Sequence, residues 1–250
     1  MNKIVLLLSV ITIMGCTPEF YSPNRVNIPE LSKKKDFKIS VAKGYIDFEA
    51  QTAYAITNHF GLMCNYANIS SRTSDTNFEL GGGRLLEIGG GYFVKKEHLI
   101  FENYATIGRG SFFNRAEFIN STIEDEDGKL DADFSKLGVQ STLTFQHDLL
   151  SVSGGLRFTN IQYTNITGNM YSGSQNLREF LNLNSNYNFL EPVFQIGIGF
   201  KHVRFNVQYQ KSFNLNQNDY YNYNKVNYSA GIQLSFPAIK SKKKDEIKPI

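Results

Sequence analysis

The stretch AYAITNHFGLMCNYA, residues 53–67, places apolar residues in alternation with small or polar residues on both sides of the short turn TNHFG. A period of two residues predicts strands, so this stretch predicts a β-hairpin. Its one-sided apolar pattern fits either a soluble barrel with an apolar interior or a membrane barrel with an apolar exterior. The fold and its location therefore depend on which face of the sheet is apolar.

The same period of two recurs through residues 36–236 and predicts ten antiparallel strands. Most have about the 9 to 11 residues that a tilted membrane-spanning strand needs, and short turns alternate with long links between them. This layout predicts an all-β, up-and-down transmembrane barrel. Eight strands are the alternative if the first hairpin is a single bent strand or a plug. The predicted strands are 36–43, 45–56, 60–69, 84–96, 99–109, 135–147, 149–163, 189–200, 202–213 and 225–236.

The composition of the two strand faces predicts that the apolar face points outward. The polar face is rich in Gly, Ser, Thr, Gln and Asn and nearly free of Lys, whereas a surface in bulk water is rich in charges. Because backbone groups in lipid must all be paired, such a sheet has to close. We expect Cys64 on the apolar face and aromatic residues at its borders: Phe37, Phe60, Phe145, Phe200, Phe205 and Phe236 near the short turns, and Tyr45, Tyr163 and Tyr228 near the long loops.

Together these features resemble a small single-chain outer-membrane β-barrel protein of Gram-negative bacteria. The last predicted strand, NYSAGIQLSF at residues 227–236, ends in an aromatic residue and is similar to the assembly signal of these barrels. The resemblance implies a location in the cell outer membrane, contact with outer-membrane lipid, and both termini in the periplasm. We expect a monomer.

The first residues, MNKIVLLLSVITIMGC, combine Lys3 with an apolar run that is too short to span a bilayer. Their end, IMGC, resembles a bacterial lipoprotein signal, which implies an acyl anchor on Cys16. An ordinary secreted protein with an unmodified Cys16 is the alternative. The expected organisation is a signal peptide at 1–15, a lipidated N-terminus and linker at 16–35, the barrel at 36–236, and a disordered, charged periplasmic tail at 237–250.

Composition and motifs argue against several other classes of protein. A formal net charge of +3, scattered along the chain, does not favour nucleic acid, and two cysteines exclude a disulfide framework. His59, His98, His147 and His202 fall in or beside predicted short turns, away from the long loops where a rim hydrolase would need its general base. We therefore expect neither enzymatic activity nor a cofactor.

Two further stretches invite a chemical interpretation. IEDEDGKLDAD, residues 123–133, offers oxygen ligands for calcium at Asp125, Asp127, Asp131 and Asp133, but it lacks the spacing of an EF-hand loop. We expect a solvated acidic loop there and no metal. GGGRLLEIGGGYF, residues 81–93, lacks the GK[ST] ending of a phosphate-binding loop, so we expect strand.

Inward-facing charges predict a network inside the barrel. Eight strands are just filled by their own side chains, whereas porins have about 16 strands, so a ten-stranded lumen is expected to be plugged or very narrow. Cross-lumen ion pairs are then favoured over a conduction path. The predicted network consists of Asp47, Glu49, Glu87, Glu102, Arg157, Glu191 and Arg204.

The long loops are rich in Asn, Tyr and Ser, as in residues 165–189 and 214–225. Tyr offers contact area at low entropic cost, and Asn and Ser offer adaptable hydrogen bonds. The loops therefore predict a structural or surface-interaction role, adhesin-like or receptor-like, towards an extracellular ligand or a host surface. A narrow channel or transport barrel for small solutes is the first alternative. A soluble, lipid-anchored periplasmic barrel with its apolar face inward is the second.

Overall fold

A computed structural model describes residues 19–45, 47–72, 79–115, 128–172, 174–200, 202–216 and 221–236. The predictions for the signal peptide, Cys16, Asp125, Asp127 and the tail at 237–250 lie outside the described residues. The chain forms a closed barrel of ten antiparallel strands. The predicted all-β barrel and its strand number are confirmed, and the eight-stranded alternative is wrong.

Ten long strands form the barrel wall, and each is paired with its neighbours in antiparallel register. The barrel closes where the first wall strand pairs with the last, from Phe37 opposite Phe236 to Gly44 opposite Ser229. No helix among the described residues is long and apolar enough to cross a membrane. The elements are β1 (Phe37–Gly44), β2 (Asp47–Ala55), β3 (Phe60–Arg72), β4 (Glu79–Lys96), β5 (Leu99–Arg115), β6 (Lys129–Gln146), β7 (Leu150–Asn169), the short pair β8 (Tyr171–Ser172) and β9 (Gln175–Asn176), helix α1 (Leu177–Leu183), β10 (Asn186–Gly199), β11 (Val203–Lys211), β12 (Phe213–Asn214), which pairs with β10 beyond the end of β11, and β13 (Val226–Phe236).

The outward face of the wall carries an apolar band. Leu86, Ile88, Ile107, Leu137 and Val139 are each more than half exposed, whereas the polar residues that alternate with them point inward and are buried. The prediction of an outward apolar face is confirmed, and the barrel with an inward apolar face is wrong. Cys64 is exposed on the same outward face.

Strands β4 to β7 are 17 to 20 residues long and continue well past their predicted ends. Beyond the apolar band the two faces exchange character: Phe112 and Leu130 point inward and are buried, while Asp131 points outward. Tyr163 follows this reversal and is buried, so its predicted place at the outward border of the band is wrong. This end of the wall, which carries the long connections, is called the long-loop end, and the opposite end the short-turn end.

Residues 19–35, predicted as part of the linker, together with Asp36 instead run through the lumen from end to end. The Phe20 N–H donates to the Asn222 carbonyl at the long-loop end (3.0 Å), and the Lys35 N–H donates to the Ala55 carbonyl at the short-turn end (2.8 Å). We call this segment the plug. Since β13 ends at the short-turn end, Glu19 and Phe236 lie at opposite ends of the barrel. The termini themselves lie outside the described residues, and their expected place in the periplasm stays a prediction.

A charge placed in the middle of the apolar band tests its orientation. We expect Val139→Arg to lower the free energy of unfolding from a bilayer by about 2 to 4 kcal/mol, because a cation on a lipid-facing strand is costly near the midplane. Leu149→Arg places the same charge in the exposed turn after β6, at the border of the apolar band. It should lower the free energy of unfolding by under about 1 kcal/mol. Urea titration in phospholipid vesicles measures both, and equal losses would contradict the assignment.

Candidate functional site

Wall side chains satisfy the backbone of the plug. The Val26 N–H donates to Gln208 Oε1 and Gln208 Nε2 donates back to the Val26 carbonyl, both at 2.9 Å. Gln51 Nε2 donates to the Arg25 carbonyl at 3.0 Å, and Gln140 Nε2 to the Asn27 carbonyl at 2.7 Å. A buried N–H or C=O without a partner is costly, so these amide side chains replace the neighbouring strand that the plug lacks.

The ion pair between Arg157 and Glu191 lies in the half of the lumen nearer the long-loop end. Arg157 Nε is 2.6 Å from Glu191 Oε2, and both side chains are almost fully buried. Glu191 also accepts from the Tyr21 hydroxyl at 2.8 Å, and Arg157 donates to the Asn24 carbonyl at 2.8 Å. Both members of the pair therefore contact the plug as well as each other.

A second ion pair joins Lys136 to Glu87, with Nζ 3.3 Å from Oε1. Asn24 of the plug bridges them: its Nδ2 donates to Glu87 Oε2 at 2.7 Å, and its Oδ1 accepts from Lys136 Nζ. Sequence reasoning missed Lys136, although its position in phase with inward-facing Gly138 and Gln140 would have identified it.

At the short-turn end the plug is held by its backbone and by a third ion pair. The two Glu102 carboxylate oxygens accept from the N–H groups of Glu30 and Leu31, each at 3.1 Å. The carboxylate of Glu30 pairs with Arg204. Glu30 has a φ of +55°, a conformation that residues other than glycine rarely adopt, so these contacts hold the chain in a locally unfavourable bend.

All seven predicted network residues are buried inside the barrel. Among these seven the structure pairs only Arg157 with Glu191 directly; the others bind plug residues, Lys136 or, for Asp47, the wall residue Asn227. Asp47 accepts from Asn227 Nδ2 at 2.7 Å, and Glu49 accepts from the Arg25 N–H at 2.5 Å. The plug residues Asn24, Arg25 and Glu30 complete the network, and no sequence pattern had placed them in the lumen.

Apolar side chains of the plug fill the remaining space. Leu31 is fully buried in a cluster with Ala53, Ala55, Met63, Phe93 and Tyr104. Gly61 leaves room for it, since a Cβ there would lie 2.6 Å from Leu31 Cδ1. Val26 and Ile28 pack against Val193 in the same way.

A hydrophobic cluster, here called the mouth cluster, covers the plug at the long-loop end. Tyr163 and Tyr221 share a hydrogen bond of 2.6 Å, and the rings of Tyr187 and Tyr221 stack at 3.6 Å. Burial raises the pKa of Tyr221 well above its usual value. The cluster consists of Phe20, Tyr21, Phe112, Leu130, Ala132, Ile161, Tyr163, Met170, Leu177, Phe180, Leu181, Tyr187, Phe189 and Tyr221.

The mouth cluster changes the interpretation of the long loops. Residues 165–189 were expected as an open loop, but they contain the end of β7, the β8–β9 pair, α1 and the start of β10. Tyr187 and Tyr221 are buried and unavailable to a ligand, because their rings cover the apolar end of the plug.

The histidines lie where the sequence predicts them. All four are exposed in or beside the short turns. The Nδ1 atoms of His59, His98 and His202 lie 3.3, 3.0 and 3.1 Å from the carbonyl oxygens of Phe93, Gln146 and Ser235, so they contact the neighbouring strand.

The described members of the predicted cation site are engaged elsewhere. Asp131 pairs with Arg115 at 2.8 Å, and Asp133 accepts from Asn165 Nδ2 at 2.9 Å. Both lie in strand β6, outside any loop. In the part of the chain that the structure describes, no group of three or more His, Cys, Asp or Glu residues is arranged to hold a metal ion.

Among the comparisons with known proteins, only the one with solved structures found similar proteins, and they are β-barrels. No family model and no curated protein matches the chain. One similar structure is the N-terminal β-barrel domain of Pseudomonas aeruginosa OprF, with 10% identity over 82% of this chain and 100% of that one and a TM-score of 0.34. Another is the KdgM porin in complex with disordered oligogalacturonate, with 10% identity over 81% of this chain and 99% of that one and a TM-score of 0.37. A third is the outer membrane protease OmpT from Escherichia coli, with 10% identity over 82% of this chain and 94% of that one and a TM-score of 0.42. At these identities and TM-scores the similarity says nothing about activity or ligand.

Removing one partner of the buried ion pair tests the network. We expect Arg157→Ala to lower the free energy of unfolding by about 3 to 5 kcal/mol, because it leaves the Glu191 carboxylate buried without its cation. Arg115→Ala breaks the partly exposed pair with Asp131 and should cost under about 1 kcal/mol. Denaturant titration compares the two, and a larger loss for Arg115→Ala would contradict the proposed importance of the lumen pair.

Proposed function

We propose that the protein is a non-enzymatic, monomeric barrel of the cell outer membrane whose lumen does not conduct and whose long-loop end carries a structural or surface-interaction role. The plug carries this proposal, since residues 19–36 occupy the lumen along its whole length. The outward apolar band and the closed pairing of the wall strands support insertion in a bilayer.

The long-loop end has features of an interaction surface. Strands β4 to β7 extend there beyond the apolar band and present polar residues outward. Leu183, at the end of α1, is 85% exposed, and Leu215 after β12 is 53% exposed, although both adjoin the mouth cluster. The outward polar residues and the Asn-, Tyr- and Ser-rich sequence of the long connections support contact with an extracellular ligand or a host surface.

A narrow channel is the second candidate, and one observation favours it. Apart from a single bridge between Tyr21 and Tyr223 and backbone hydrogen bonds at its two ends, the plug has no strand pairing and is held by side chains. The wall side chains that face the lumen are largely polar, as at Gln195, Asn206 and Gln208. Displacement of the plug would therefore open a polar path through the barrel.

The lipoprotein-type start is part of the proposal. Glu19 is exposed at the long-loop end, and a chain of three residues spans at most about 11 Å. An acyl group on Cys16 would therefore meet the membrane leaflet at that end. We propose that the long-loop end faces the cell exterior, so that the N-terminal side of the plug is displayed there.

Cysteine labelling tests this orientation. We expect Glu19→Cys, in a Cys64→Ser background, to gain label from a membrane-impermeant maleimide on intact cells relative to the same background with Glu19. His202→Cys, at the short-turn end, should gain label only after the cells are permeabilised. The reverse pattern would show that the long-loop end faces inward.

Conductance in planar bilayers tests whether the plug closes the lumen. We expect the wild-type protein to show no conductance and Leu31→Asp to conduct. An unpaired carboxylate among Met63, Phe93 and Tyr104 should displace the part of the plug near the short-turn end from the lumen. Leu183→Asp, the same change at an exposed site, should remain silent. Steady conductance of the wild-type protein would favour the channel instead.

A further inference from the structure

A groove of about 620 Å³ lies on the outward side of β3 to β7, where the apolar band meets the polar rim. The plug contributes no residue to it, and the side chains used below, such as Arg84 and Arg109, point outward. Its lining includes Tyr66, Arg84, Leu86, Arg109, Ser111 and Asp133.

The two arginines lie in the first polar rows above the apolar band. Arg109 is opposite Leu86 on β4, and Arg84 is opposite Ser111 on β5. Towards the short-turn end on the same faces, Ile107 comes two residues from Arg109 and Ile88 four residues from Arg84, and they are 58% and 56% exposed. Both guanidinium groups are therefore placed at the edge of the surface that we assign to lipid.

Neither arginine has a carboxylate partner among the residues that the structure describes. Arg115, the next outward arginine on β5, differs because it pairs with Asp131. A cation at the edge of a bilayer is stabilised by an anion at the same depth, and there the available anions are the phosphates of lipid headgroups.

We propose that this groove binds the phosphate of a lipid headgroup, with Arg84 and Arg109 as donors and the acyl chains lying along Leu86, Ile88 and Ile107. The proposal rests on the proposed insertion in a membrane. A guanidinium group suits phosphate oxygens because it can donate two parallel hydrogen bonds.

Asp133 identifies the headgroup further. Its register partner Ser111 lies between it and Arg84, and Asn165 holds its carboxylate from the side. A carboxylate near the two arginines disfavours a bare anion, but it can accept from an ammonium or hydroxyl group of the same headgroup. A zwitterionic headgroup such as phosphoethanolamine therefore matches the groove: its phosphate faces Arg84 and Arg109, and its ammonium group faces Asp133.

Lipid titration of the full-length protein in detergent micelles tests the site, with phosphatidylethanolamine as the probe and native mass spectrometry as the readout. We expect Arg84→Gln and Arg109→Gln each to weaken binding about tenfold, the range for one charge-assisted hydrogen bond. Arg115→Gln is the matched control and should bind as the wild-type protein does. Diacylglycerol, which lacks the phosphate, should bind without dependence on these arginines.

The outcomes separate this site from the membrane barrel itself. Electrophoretic mobility in SDS, boiled against unboiled, shows whether each variant still forms the folded barrel. A normal mobility shift with unchanged lipid affinity in both glutamine variants would overturn the headgroup site alone. Competition by inorganic phosphate at the same concentration as the lipid would show a site for free phosphate and would also overturn it. Absence of the shift in the wild-type protein would overturn the membrane barrel, and the lipid site with it.

Discussion

Every buried backbone group of the plug needs a hydrogen-bond partner, and most of the lumen is organised around this constraint. The wall strands pair with one another, so few of their backbone groups bind the plug, as Ala55 does at the end of β2. Inward-facing amide side chains take that role, as the two bonds between Gln208 and Val26 show. The polar wall face is therefore rich in Gln and Asn, which donate and accept at once, where a solvated face would carry lysine.

The buried charges follow from the same constraint. An ion inside the barrel is costly unless it is paired or bound by hydrogen-bonding groups. Asn24 contacts both Arg157 and the pair of Lys136 with Glu87, and Glu30 supplies the partner of Arg204. Because the plug completes these groups, wall and plug depend on each other for stability and form one folding unit.

The sequence predicted the wall far better than the contents of the lumen. Strand number, the outward apolar face and the inward position of all seven network residues follow from a period of two, which a barrel that separates lipid from a polar interior imposes on its strands. The ends of β4 to β7 at the long-loop end were not predicted as strand because the apolar and polar faces exchange there. From Phe112 and Leu130 onwards the outward face is polar and the inward face is apolar.

The sequence did not predict the plug for a different reason. Residues 19–36 carry no period, and their partners are distant in sequence, as for Tyr21 with Glu191, which are 170 positions apart. Inward charges on the wall indicate that something must neutralise them, but no local pattern identifies the segment that does so.

The position of the plug in the chain constrains how the barrel is assembled. The plug leads directly into β1, and β1 pairs with β13, the last strand, to close the wall. Because the plug joins β1 at the short-turn end, it can enter a closed wall only from that end, with its N-terminal side moving towards the mouth cluster. The ion pair between Glu30 of the plug and Arg204 of the wall forms once the plug is in place. An open lumen would then be a second state, reached only by breaking the ion pairs that the closed state contains.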